Sequence, residues 1–170
     1  MENRLVLENI ELLRQSLDLL DRIDNGLYRT SVAAVSPSPV GSHLRHCLDF
    51  YRNFLTGHAV GRIDYDVRER NEAIALDRSV ARIRIVETID GLERLLRSND
   101  RARLLVKLEG NGEDLLAWSW SSVKRELQFL LSHTIHHFAL IAILLRLQGY
   151  EPGVEFGVAP STLIDWRKSS

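Results

Sequence analysis

Apolar residues recur at three- and four-residue steps in four long stretches of this chain, and that period leaves little room for anything but a bundle of amphipathic helices. The first helix is predicted from about Glu2 to about Asn25, with Leu5, Ile10, Leu13, Leu17, Leu20 and Ile23 on one face and Gly26 as its stop. Ser36-Pro37-Ser38-Pro39 then breaks regular structure, because proline fixes its own backbone and restricts the residue before it. A second helix follows from about Gly41 or Ser42 to about Gly57, with Leu44, Cys47, Leu48, Tyr51, Phe54 and Leu55 on its apolar side. The third is predicted from about Glu72 to about Arg97, with Ile83, Val86, Leu92 and Leu96 inward. Ser121 or Ser122 caps the fourth, which carries Glu126 in its early turns and ends near Gln148, before Gly149.

The connections are less regular. Residues 58–71 show no clean period and read as an ordered loop, since Ile63 and Tyr65 have no place in a floppy one. Leu104 to Leu108 and Leu115 to Trp120 flank an Asn111-Gly112 pair, the pattern of a short β-hairpin. Trp118 and Trp120 alternate with serine and share a face, suited to covering the bundle end or to a dimer contact. The segment from Tyr150 onward is rich in turn residues and is expected to pack over one end of the bundle. The expected fold class is therefore all-α: one domain over residues 1–170, a four-helix bundle, up-down with longer second and third connections and an accessory hairpin before the last helix.

Composition narrows the function. With 22 Lys and Arg against 23 Asp and Glu, the net charge of −1 argues against a general nucleic-acid binder, which needs excess positive charge. The single cysteine, Cys47, cannot form an intramolecular disulfide and reads as a small core residue. The opening MENRLVLENIELL is amphipathic and acidic, unlike a secretory signal, and the apolar run Phe138 to Leu147 is too short to span a bilayer. These features lead us to expect a cytoplasmic protein with no membrane partner.

The six histidines carry the chemistry. Five fall in two helical clusters, His43 and His46 in the second helix and His133, His136 and His137 in the fourth. His133 and His137 are at i and i+4, so both rings leave one helix face a turn apart, a spacing that lets two imidazoles reach one metal. His46 is the expected third ligand and His43 its rival. His136 points about 100° away and is either a neighbour of the site or simply exposed. Asp49, three beyond His46, is placed to accept the proton of an unligated ring nitrogen. The plain alternative is a set of hydrogen-bonded core histidines with no metal.

VGSHLRHCLDFYRNFL after a proline-containing loop, then RIDYDVRER and a long helix, then ELQFLLSHTIHHFALI, make the chain resemble the DinB-like, or YfiT-like, family of metal-dependent proteins over nearly its whole length. The resemblance implies a four-helix bundle. It also implies a metal held by one histidine of the second helix and two of the last, by position His46, His133 and His137. The commonest family pattern continues with Arg-Gly-Gln; here Phe138-Ala139-Leu140 follows, a departure on the substrate side that leaves the ligand positions intact. The family includes thiol transferases, a maleylpyruvate isomerase and members with no demonstrated reaction, so it implies the metal more firmly than any activity.

Three neutral nitrogens leave an ion's charge uncompensated and a coordination position open, which suits zinc or nickel and also accommodates manganese or iron. Such a site activates a low-molecular-weight thiol or a water, so the expected partners are a small-molecule substrate, a small thiol and a second copy of the chain as a homodimer. The rival expectation is a non-catalytic metal-binding stress or scaffold protein. Among Asp64, Asp66, Arg68, Glu69 and Arg70, Arg68 or Arg70 can bind a substrate carboxylate and an acid can serve as general base; the expectation we favour is that they pair with one another and cap the third helix. Glu126 is expected to be an exposed helix residue rather than a group that orients a ligand.

Overall fold

The computed structural model describes residues 2–33, 36–97, 103–107 and 118–168. Its helices are α1 (Glu2–Arg22), α2 (Asn25–Arg29), α3 (Val40–His58), α4 (Glu72–Leu76), α5 (Arg78–Arg97), α6 (Val123–Leu147) and α7 (Pro160–Lys168). Three short strands, β1 (Arg62–Asp64), β2 (Arg103–Lys107) and β3 (Trp118–Ser122), form one sheet in that order. The four long helices α1, α3, α5 and α6 make the bundle. Both α1 and α3 pack against α5 and α6, so α1 and α3 face each other across the core, and the connection between them crosses the bundle. Ile10, Leu20, Leu44, Phe54, Ile85 and Ile141 are among the side chains that fill it.

One expectation about the connections changes. The loop at 58–71 contains β1, whose Ile63 pairs in parallel with Val106 of β2. Gly57 permits this: a Cβ there would lie 2.5 Å from the Arg62 carbonyl oxygen. The hairpin strands pair antiparallel from Arg103↔Ser122 to Lys107↔Trp118, while the Asn111-Gly112 turn lies outside the described residues. Arg62 lies over the Trp118 ring and Arg103 over Trp120, which is 63% exposed.

The long third helix is two helices. Asp77 is extended, and its carboxylate accepts from the backbone and hydroxyl of Ser79, so α5 starts afresh at Arg78. Its buried stripe is Ala81, Ile85, Ile89 and Leu92. Ile83 and Val86, expected inward, are 61% and 42% exposed. The segment offers two apolar stripes, and the one that carries Ala81 is the one that packs. The tail behaves as expected in part: Phe156 stacks on Phe138 at 4.9 Å.

The rotational setting of α3 against α6 is held by buried polar groups. The Asn9 side chain donates to the Leu127 carbonyl at 3.1 Å, Tyr51 donates to Asn9 Oδ1 at 2.7 Å, and Thr134 donates to Tyr51 at 3.2 Å. These bonds tie α1, α3 and α6 at one level. At the α3 N-terminus, a Cβ on Gly41 would lie 2.1 Å from the Ala75 carbonyl oxygen, so only glycine lets α4 dock there. Taken as a whole, α6 is long and apolar enough by length and composition to cross a membrane, although Phe138 to Leu147 alone is not; here it packs against α1 and α3 as a bundle helix.

Replacing Tyr51 by Phe leaves Asn9 Oδ1 buried and unpaired. We expect a loss of about 1–3 kcal/mol in urea denaturation. A change within ±0.3 kcal/mol would show that the network does not set the packing.

Candidate metal centre

α3 ends at the sheet and α6 begins there, so the two helices run antiparallel, and residues rising along α3 meet residues falling along α6. His43 meets His137, His46 meets both His137 and His133, and Phe50 meets His133 and Phe129. The i, i+4 spacing on α6 and the i, i+3 spacing on α3 each line one stripe, and the seam brings the two stripes together. One ring nitrogen from each of His46, His133 and His137 lies within 4.8 Å of the others.

His43 stands beside the trio. Its Nδ1 is 2.9 Å from Nδ1 of His137, so one ring donates to the other. A proton on His137 Nδ1 would leave its Nε2 lone pair free, and His43 would act as the acceptor that fixes this tautomer. His136 is exposed, with its ring 5.3 Å from that of His137.

The rings are held neutral. Burial is the leading cause for all three, pushing His46 and His133 down to about 4 and His137 down to about 3. Neighbouring charge adds to this: His133 and Arg68 act on His46, His136 and Arg68 act on His133, and the surrounding imidazoles act on His137. His43 is lowered by burial and by His136, against the opposing pull of the Ser38 carbonyl. A neutral imidazole keeps a lone pair for a metal. His133 Nε2 is buried without a hydrogen-bond partner, a cost that a metal ion would remove. The residues present therefore fit a divalent transition metal.

Two of the trio, His46 and His133, border a cavity of about 180 Å³ that Phe50, Tyr65, Asp66, Arg68 and Phe129 also line. Tyr65 is 1% exposed and stacks on Phe50 at 5.2 Å. Its hydroxyl donates to Glu126 Oε2 at 2.9 Å, and Ser121 donates to the other carboxylate oxygen. Burial and the adjacent carboxylate push the Tyr65 phenol up. Tyr65 and Phe129 also wall a second cavity of about 280 Å³, shared with Trp120, Arg125 and Glu126.

Several expected roles move. Glu126 is buried, not exposed, and it anchors Tyr65. Asp49 does not serve a histidine: its carboxylate is buried beside Arg45 and accepts from the Arg70 backbone. Arg70 has φ +51°, a strained setting that this bond helps hold. Within the charged loop the Asp66 N–H donates to Asp64 Oδ1 at 2.9 Å, but its ion pairs run outward. Asp64 and Asp66 lie 3.6 and 3.7 Å from Lys107, Glu69 pairs with Arg52 of α3, and Asn71 caps α4. Arg68 turns inward, with Nη1 3.2 Å from Nδ1 of His46. Tyr65 is the site residue that the sequence did not single out, and Arg68 is one of the two arginines it offered for a substrate carboxylate; the signal was an aromatic residue and a charge cluster in a loop without period.

A DinB superfamily model matches residues 9–141, and the chain belongs to that superfamily. A stretch of 102 residues, 59% of the chain, is 31% identical to FK506-binding protein 5 of Rhizopus delemar. That stretch covers 26% of the fungal protein, so the chain spans about a quarter of it. No solved structure matches the chain significantly.

Metal-free protein should lose stability as the pH falls from about 6.5 toward 4. In that window the unfolded histidines bind protons that the folded ones refuse, so stability is complete above the unfolded value and declines below it. Urea midpoints measured between pH 7 and 5, above the main carboxylate range, check this. A flat profile there would contradict it.

Proposed function

We propose that the chain is a metal-dependent enzyme acting on a small molecule, with His46, His133 and His137 holding one divalent transition metal ion, zinc or nickel foremost. The observation that carries the reading is the convergence of three neutral imidazoles within 4.8 Å, two of them at the wall of a cavity. When bound, the ion supplies Lewis acidity that lowers the pKa of a small thiol or a water at its open position, which serves thiol transfer or hydrolysis.

The chain's own residues do the rest. His43 holds the ring of His137 through the Nδ1 contact and so sets which nitrogen faces the trio. Phe50, Tyr65 and Phe129 give the cavity aromatic walls that exclude water, and Glu126 keeps Tyr65 in place. Cys47 is no nucleophile: it is 1% exposed, and burial pushes its thiol well above the usual range. A thiol taking part in the reaction must therefore arrive as a substrate.

Protein purified without a histidine tag should carry about one equivalent of transition metal. His133→Ala should lose it, and chelation should lower the melting temperature of wild type, because the metal binds only the folded chain. A panel of electrophiles offered with several small thiols should reveal turnover that disappears with chelation and in His133→Ala. Failure to bind any transition metal overturns the reading. Full metal with no turnover across the panel favours a metal-binding scaffold instead.

A further inference from the structure

We infer that Arg68 is the anion-recognition residue of the metal-side cavity, and that the substrate is a small carboxylate with an apolar body. The inference rests on the metal reading above. Arg68 sits on the loop after β1, which is tied to α3 by the bond from Arg70 to Asp49 and by the Arg52–Glu69 pair. Its guanidinium lines the cavity, lies 5.8 Å from the centre of the Phe50 ring, and has a buried Nε with no hydrogen-bond partner. A half-buried guanidinium whose buried Nε–H has no acceptor is costly, and an anion is the group that would draw on its donors.

Among the described residues lining this cavity the one acid is Asp66, and its carboxylate lies 3.7 Å from Lys107. The remaining walls are imidazole and aromatic. Arg68 meets His46 at Nδ1, and arginine can only donate, so this contact occupies the Nδ1 lone pair and leaves the neutral ring's proton on Nε2. Once Nε2 of His46 is given to a metal, the proton belongs on Nδ1, and two donors face each other. Metal binding thus deprives Arg68 of its acceptor just where a divalent charge has been added. A carboxylate answers both needs: it accepts two parallel bonds from the guanidinium and offsets the excess positive charge. At about 180 Å³ the cavity is smaller than the roughly 300–1,000 Å³ typical of drug-sized ligands, so the acid must be small.

The test uses the zinc-loaded 170-residue chain and benzoate as the probe, with neutral benzamide as the control, both followed by titration calorimetry. Wild type should bind benzoate and bind benzamide at least tenfold more weakly. Arg68→Gln should lose at least tenfold in benzoate affinity while keeping its zinc stoichiometry and melting temperature. Arg68→Lys, which keeps the charge without the planar fork, should fall between the two and serves if the glutamine variant does not fold. Benzoate affinity unchanged in these variants, or no benzoate binding by zinc-loaded wild type, overturns the inference and leaves the metal site intact. Failure of wild type to take up zinc in the same samples removes the metal reading and this inference with it.

Discussion

The antiparallel seam between α3 and α6 is the contact on which the rest of the molecule depends. The stripe on α3 carries its imidazoles in the first two turns and the stripe on α6 carries them near the middle, and the site exists only if the two stripes face each other. Hydrophobic packing alone would tolerate some rotation of either helix, because it has no direction. The bonds joining Asn9, Tyr51, Thr134 and the Leu127 carbonyl do have direction, and Thr134 is the residue next to His133. The same rotation that satisfies Thr134 aims His133 at His46. At the other end of α3, the close approach at Gly41 fixes how far the helix slides against α4.

That seam gathers imidazoles where none of them can easily take a proton. Burial disfavours the charged ring, and each protonation would meet neighbouring imidazoles and Arg68. The outcome is a set of neutral nitrogen donors with a partnerless Nε2 among them. The loop from Tyr65 to Asn71 then closes over the set. Asp49, Arg52 and Asn53 of α3 hold this loop from below, the last by donating to the Asp64 carbonyl at 3.0 Å. One helix thus supplies both the ring of His46 and the anchors that place Arg68 above it.

Much of this was legible in the chain because helical period is a strong signal. The inward faces of α1 and α3 follow the spacing of Ile10, Leu13, Leu44 and Tyr51, and the His133–His137 step reads directly as a shared face. The α5 face was misread because two apolar stripes compete there, and hydropathy alone does not choose between Ile85 with Ile89 and Ile83 with Val86. The break at Asp77 depends on a local side-chain bond to Ser79. β1 was hidden because a three-residue strand exists only through its partner β2, far along the chain. Glu126 looks like any surface charge in sequence, and nothing there separates Arg68 from Arg70. Their inward positions come from Tyr65 and His46, partners brought close only by the fold.

Anomalous diffraction from zinc-replete crystals addresses the central claim most directly, since it reports where the ion sits without assuming what it does. The account requires a single strong peak about 2.0–2.1 Å from one ring nitrogen each of His46, His133 and His137. A peak coordinated by a different set of residues, or no ordered zinc between α3 and α6, would contradict it.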